Sequence, residues 1–123
     1  MEAVLLIGHG SKEDTTVEVL KKIAKDLEKS IEKKVFYAFL DFNTPNIGEA
    51  LNDIYEKGMK KVTVLPYFLF SGIHIKKDIP QILKSFKKSH SDMFIEFASP
   101  IDYHPLMIEI LKEKLNRDRE IIE

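Results

Sequence analysis

A chain of 123 residues, 44% hydrophobic and 32% charged, has the length and balance of one globular domain over residues 1–123, and is neither disordered nor fibrous in composition. The net charge of -1, with lysines interleaved among acids along helical stretches, excludes a global field that would gather nucleic acid or an anionic membrane. The absence of cysteine excludes thiolate nucleophiles, thiolate metal sites and iron–sulfur clusters.

Met1-Glu2-Ala3 runs into a short apolar stretch without a basic leader, so a cytoplasmic chain with no membrane span is expected. That stretch, Ala3 to Ile7 closed by Gly8, reads as a strand buried on both faces. Roughly Lys12 to Ile31 is helical, because Val17, Leu20, Ala24, Leu27 and Ile31 recur at spacings of three and four. Lys34 to Leu40 is a second strand. Pro45 then precedes a helix whose inward residues are Ile47, Ala50, Leu51 and Ile54, with Gly58 placed to end it.

Val62 to Leu65 is a third buried strand, stopped by Pro66, and a helix follows through Ile75 to Lys87 with Pro80 as a first-turn break or kink. Phe94 to Phe97 is a fourth short strand. Pro105 opens a last helix with Met107, Ile110, Leu111 and Leu115 facing inward, and the charged tail from Arg117 frays. The alternation β-α-β-α-β-α-β-α predicts an α/β fold, a parallel four-stranded sheet with flanking helices. Four strands make a small sheet for this class, so two copies are expected to pack together.

Ligands of open parallel sheets bind beyond the carboxyl ends of the strands, where strand order reverses. The loops leaving the first and third strands flank that point. The first carries Gly8-His9-Gly10-Ser11 and the third carries Phe70-Ser71-Gly72-Ile73-His74, so His9 and His74 are expected to meet at one crevice. Glycine on both sides of His9 lets the backbone turn sharply there. Neutral imidazole is a good ligand for cobalt, nickel or zinc and titrates near neutral pH. Two histidines without a third ligand suit a metal that is held and then released. Tyr67-Phe68-Leu69-Phe70 reads mainly as core, with Phe70 as the candidate wall for a planar ligand. Lys12, Lys76 and Lys77 flank the two loops and could meet substrate carboxylates. His90 is expected to be solvent-exposed and far from the crevice, and His104 to be a helix-entry residue.

Competing motifs fail. Glu13 stands where the dinucleotide fingerprint needs its third glycine, there is no P-loop lysine, and no Gly-x-Ser-x-Gly elbow exists.

The residues also carry a resemblance. Gly8-His9-Gly10-Ser11, Phe39-Leu40-Asp41-Phe42-Asn43-Thr44-Pro45, and Pro66 to Pro80 with Gly72-Ile73-His74 are similar to the class II tetrapyrrole chelatases, specifically the short archaeal sirohydrochlorin cobaltochelatases. The resemblance covers nearly the whole chain and implies a flavodoxin-like, chelatase-like half unit. It implies a homodimeric enzyme that inserts cobalt(II), or in methanogens nickel(II), into sirohydrochlorin, with the metal as substrate and no permanently bound cofactor. It carries metal contact onto His9 and His74, with His9 accepting a proton. It carries tetrapyrrole contact onto Leu69, Phe70, Ser71, Gly72, Ile73 and His74, and a further substrate contact onto Thr44. Relatives tend to carry Glu where this chain has Thr44, and Asp41 also stands where Glu is common. Longer family members contain two such units in one chain. No nucleotide motif is present, so no ATP requirement is expected.

Two other classes remain open at this stage. One is a flavodoxin-like module that holds a flavin or phosphate through Ser11, Thr15 and Thr16. The other is a metal carrier without catalysis.

Overall fold

Strands β1 (Glu2–Gly8), β2 (Lys34–Phe39), β3 (Lys61–Pro66) and β4 (Phe94–Phe97) form one sheet in the order β2-β1-β3-β4, with every neighbouring pair parallel. Helices α1 (Asp14–Ile31), α2 (Ile47–Glu56), α3 (Ile73–Ser89) and α4 (Pro105–Arg117) alternate with them. This computed structural model describes residues 2–117 and 119–123; for His74 it describes the place in α3, while the side chain lies outside the described residues. Among the described residues no helix is long and apolar enough to cross a membrane.

β1 is central because nearly every one of its residues is apolar and both its edges are paired. Ala3, Leu5 and Ile7 turn to one face, where they pack with Val62 and Val64 of β3 beneath α2 and α3. Leu6 turns to the other face and meets Leu20 and Ala24 of α1 and Phe39 of β2. The chain steps from β1 outward to β2, then returns to β3 on the opposite side. Strand order therefore reverses between β1 and β3, as the alternation of elements led us to expect.

The helix termini follow side-chain chemistry. Asn46 caps α2 by accepting from the Glu49 N–H at 2.8 Å, and Glu49 returns a bond to the Asn46 N–H at 2.8 Å, a complete capping box. Gly58, at φ 83°, follows the end of that helix. α1 begins at Asp14 rather than Lys12, because the Ser11 Oγ accepts from the Glu13 N–H at 3.1 Å and holds the preceding residues in a turn. Ile31, expected to face inward, lies at the exposed end of α1, just before Glu32 turns left-handed.

Two further expectations change. Pro80 sits inside α3 and does not open or end it. The carbonyl that its missing N–H leaves without a helical partner belongs to Lys76, an exposed residue. The inward face of α4 is also not buried. Met107 is half-buried, whereas Ile110, Leu111 and Leu115 are exposed, and no residue of α4 is buried.

Candidate active site

His9 stands just beyond the carboxyl end of β1, and two neighbours fix the loop that carries it. The Leu40 N–H donates to the Gly8 carbonyl at 2.9 Å and the Asp41 N–H donates to the His9 carbonyl at 2.9 Å, so pairing with the β2 side continues past the sheet. The Ser11 N–H donates to the Asn43 Oδ1 at 2.8 Å. Gly10 has φ 97°, and a Cβ there would lie 1.8 Å from the Asp41 carbonyl oxygen. Only glycine fits at this point, because the backbone is both left-handed and pressed against a neighbouring strand end. The His9 ring is exposed and meets the buried Phe68 ring edge-on at 6.2 Å between centroids.

β3 leads to the second loop. The Tyr67 N–H donates to the Ile7 carbonyl at 2.7 Å, which ties the start of this loop to the strand that bears His9. Tyr67–Gly72 then reaches α3, and His74 occupies that helix's first turn. The two histidine-bearing segments thus leave neighbouring strands at the same sheet edge. Whether the two rings converge rests on the His74 side chain, which is outside the described residues.

A cavity of about 970 Å³ opens beside His9 between α2 and α3. Asp41, Asp78, Gln81, Phe86 and His90 are among its lining residues. Asp41 shares this wall with His9. His90 corrects an expectation: it is half-buried and lines the far end of the same cavity. It stacks on Phe86 at 3.9 Å with the planes 4° apart, and its Nδ1 lies 3.0 Å from the Phe86 carbonyl oxygen. The sequence held a signal for this, since Asp78, Ile82, Phe86 and His90 recur every four residues along one face of α3. Thr44 is exposed, precedes a cis Pro45, and does not line this cavity.

None of the remaining expected contacts lines this cavity: Ser71 and Phe70 line two smaller grooves beside the segment that leads into α4. Leu69, Phe70 and Ile73 are exposed, joined by Phe42 and by Tyr103, which sequence reasoning missed. Gly72 is the N-cap of α3. The Ser71 Oγ donates to the Asp102 carboxylate at 3.1 Å, which links this loop to the segment before α4. A second cavity, of about 390 Å³, lies on the α1 side of His9 and is lined by Ser11, Thr15 and Thr16. Among the described residues no three His, Asp or Glu side chains stand close enough together to hold a metal. The site, as far as its side chains are described, brings one imidazole and one carboxylate, both of them metal-ligand types, onto a single cavity wall.

The CbiX family profile matches residues 3–118. The chain belongs to the CbiX family. Among relatives of this CbiX chain is a sirohydrochlorin cobaltochelatase of Methanococcus aeolicus, 42% identical over 84 residues. That match covers 68% of the present chain and 59% of the relative. A sirohydrochlorin cobaltochelatase of Sulfolobus acidocaldarius is 33% identical over 117 residues, covering 95% of this chain and 92% of that one. Among solved structures, the sirohydrochlorin chelatase SirB of Bacillus subtilis in complex with cobalt superposes with a TM-score of 0.88 at 19% identity. The match takes in 94% of this chain and 50% of SirB, and at that identity it speaks for the fold alone.

Proposed function

We propose that this CbiX-family chain inserts cobalt(II) into sirohydrochlorin, with nickel(II) as the other metal it would accept, and without ATP. The observation that carries this reading is His9, held exposed between two glycines at the switch point of the sheet, on the wall of a cavity with Asp41. The names of the archaeal relatives support the same substrate.

In this reading the macrocycle lies at the carboxyl edge, its flat face against Phe70 and the neighbouring Leu69–Ile73 backbone, with Thr44 as a peripheral contact. His9 and His74 present the metal to one face of the ring. Two ring N–H bonds break as the four ring nitrogens bind the metal, and both protons leave: His9 accepts one and releases it to water, and the other passes to water directly. Most of the acceleration then comes from holding metal and ring in register. Asp41, on the same cavity wall as His9, favours the approaching cation. The working unit is a cytoplasmic homodimer.

A phosphate- or flavin-binding module is the second reading, favoured by the 390 Å³ cavity that gathers Ser11, Thr15 and Thr16. One experiment separates the two. The purified chain is incubated anaerobically with sirohydrochlorin and either Co²⁺ or Ni²⁺, and the absorbance of the metallated product is followed. His9→Ala and His74→Ala should each lower kcat at least about 100-fold, the scale of a lost general base. Wild-type rates in either variant, or no metallation by the parent chain, would remove the reading, and a copurifying yellow cofactor would favour the other.

A further inference from the structure

Phe42 stands in a backbone conformation that few residues of its size adopt. Its φ is 65°, in the left-handed region, where a Cβ crowds the neighbouring carbonyl oxygen. Asn43, the next residue along, is of the kind that tolerates that region, yet the chain places the strain on its bulkier neighbour. Burial does not account for the choice. The ring is 61% exposed, so it collects little of the hydrophobic gain that holds a core phenylalanine in place.

The turn around Phe42 is fixed from both sides. The Asp41 N–H donates to the His9 carbonyl at 2.9 Å, and the Asn43 Oδ1 accepts from the Ser11 N–H at 2.8 Å. Within the turn, the Phe42 N–H donates to the Asp41 Oδ1 at 3.0 Å and the Asn43 N–H donates to the Asp41 carbonyl at 2.8 Å. Phe42 is thus the apex of a turn whose two feet are bonded on either side of Gly10, in the loop that carries His9. The Lys12 ammonium, from the same loop, lies 6.0 Å from the centre of the Phe42 ring. A side chain held in a strained conformation by such a frame is set in place before anything meets it.

The topology pairs this ring with another. β2, β1 and β3 are consecutive in the sheet, and their outgoing loops carry Phe42, His9 and Phe70 in that order. Phe70 is 76% exposed. Adjacent strands lie roughly 5 Å apart, so the strands that lead to the two phenylalanines are separated by about 10 Å, with the His9 strand between them. An occupant that touches both rings while lying over His9 is broad and flat, with apolar faces. The lysine beside Phe42 adds a preference for acidic groups at its rim.

We infer that Phe42 is a substrate-contacting residue, a second aromatic wall for an acid-bearing macrocycle on the β2 side of His9, with Phe70 on the β3 side. This rests on the chelatase reading above and deepens it. The strain at Phe42 is retained because it presents the ring in advance, so binding does not have to order this loop.

Sirohydrochlorin is titrated anaerobically, without metal, into the parent chain and into Phe42→Ala, Phe42→Tyr and Phe42→Gly, with the absorbance and fluorescence of the tetrapyrrole as the signal. Phe42→Ala should raise Kd about tenfold, the scale of a lost aromatic contact. In the metallation assay its KM should rise in step while kcat stays within about twofold, because the ring binds substrate and moves no proton. Phe42→Tyr keeps the flat face and should hold Kd within about threefold of the parent. Phe42→Gly should bind as weakly as Phe42→Ala yet unfold at a higher urea midpoint, since glycine takes a φ of 65° without strain. Light scattering should give every variant the mass of the parent. A parent-like Kd in Phe42→Ala overturns the inference. So does a lower urea midpoint in Phe42→Gly, which would mean that the ring serves the fold, and so does a reduced mass in Phe42→Ala, which would make the ring a contact between copies. Failure of the parent to bind or metallate sirohydrochlorin removes the chelatase reading and this contact together, whereas an active parent indifferent to Phe42 removes the contact alone.

Discussion

Gly10 carries more of the site's geometry than any side chain near it. Its φ of 97° and the Asp41 carbonyl 1.8 Å from a would-be Cβ mean that any other residue must push the His9 loop away from the β2 side. Gly10→Ala should cost at least about 1–3 kcal/mol of stability, read as a lower midpoint in urea, together with a drop in metallation rate. By contrast Gly72 has open space around its Cβ position, so Gly72→Ala should leave the fold intact. At this scale much of the site was legible: a histidine flanked by glycines after a buried strand marks a strand-end loop. His90 was not, because its relation to His9 passes through the length of α3 and a cavity that no local pattern announces. The clamp between Ser71 and Asp102 was hidden for the same reason, since it joins residues 31 apart.

Among the elements, the amino edge of the sheet is stitched by charge. Glu2 of β1 accepts from Lys33, just before β2, at 2.8 Å and pairs with Lys61 of β3 at 2.9 Å. Hydrogen bonds from these two ammonium groups, Lys33 first, pull the Glu2 carboxyl down to about 2. A carboxyl held lower in the folded chain than in the unfolded one stabilises the fold above its unfolded value of 4.5, and that contribution fades as pH falls towards 2. Glu2→Gln should therefore lower the thermal midpoint modestly at pH 6, with the gap to the parent closing between pH 4.5 and 2 and narrowing with added salt. Strands and helices themselves were read well from periodicity, since Ala3–Ile7 and Ile47–Ile54 each bury the residues their patterns nominate. Pro80 does not break α3, because the lost hydrogen bond and the crowding of the carbonyl four residues back are local costs that a long helix can carry. The pattern of α4 was recognised as amphipathic, but an apolar arc does not say what packs against it.

For the molecule as a whole, the two-copy assembly proposed above predicts behaviour that depends on concentration. Amide exchange in α4 should slow as protein concentration rises, because an exposed apolar helix gains protection when a second copy packs on it. Exchange at Leu5 and Leu6 should not respond until the pair itself limits global unfolding. A rate in α4 that is independent of concentration over the range where mass doubles would show that this helix is not part of the contact.

β1 is bonded on both flanks and buried on both faces, so the residue at its tip inherits the slowest-opening part of the molecule. An exposed imidazole on such a foundation keeps its backbone address, because a strand paired on both edges is expected among the last parts of a sheet to open. In the proposed reaction that would let His9 meet each new cargo from the same place.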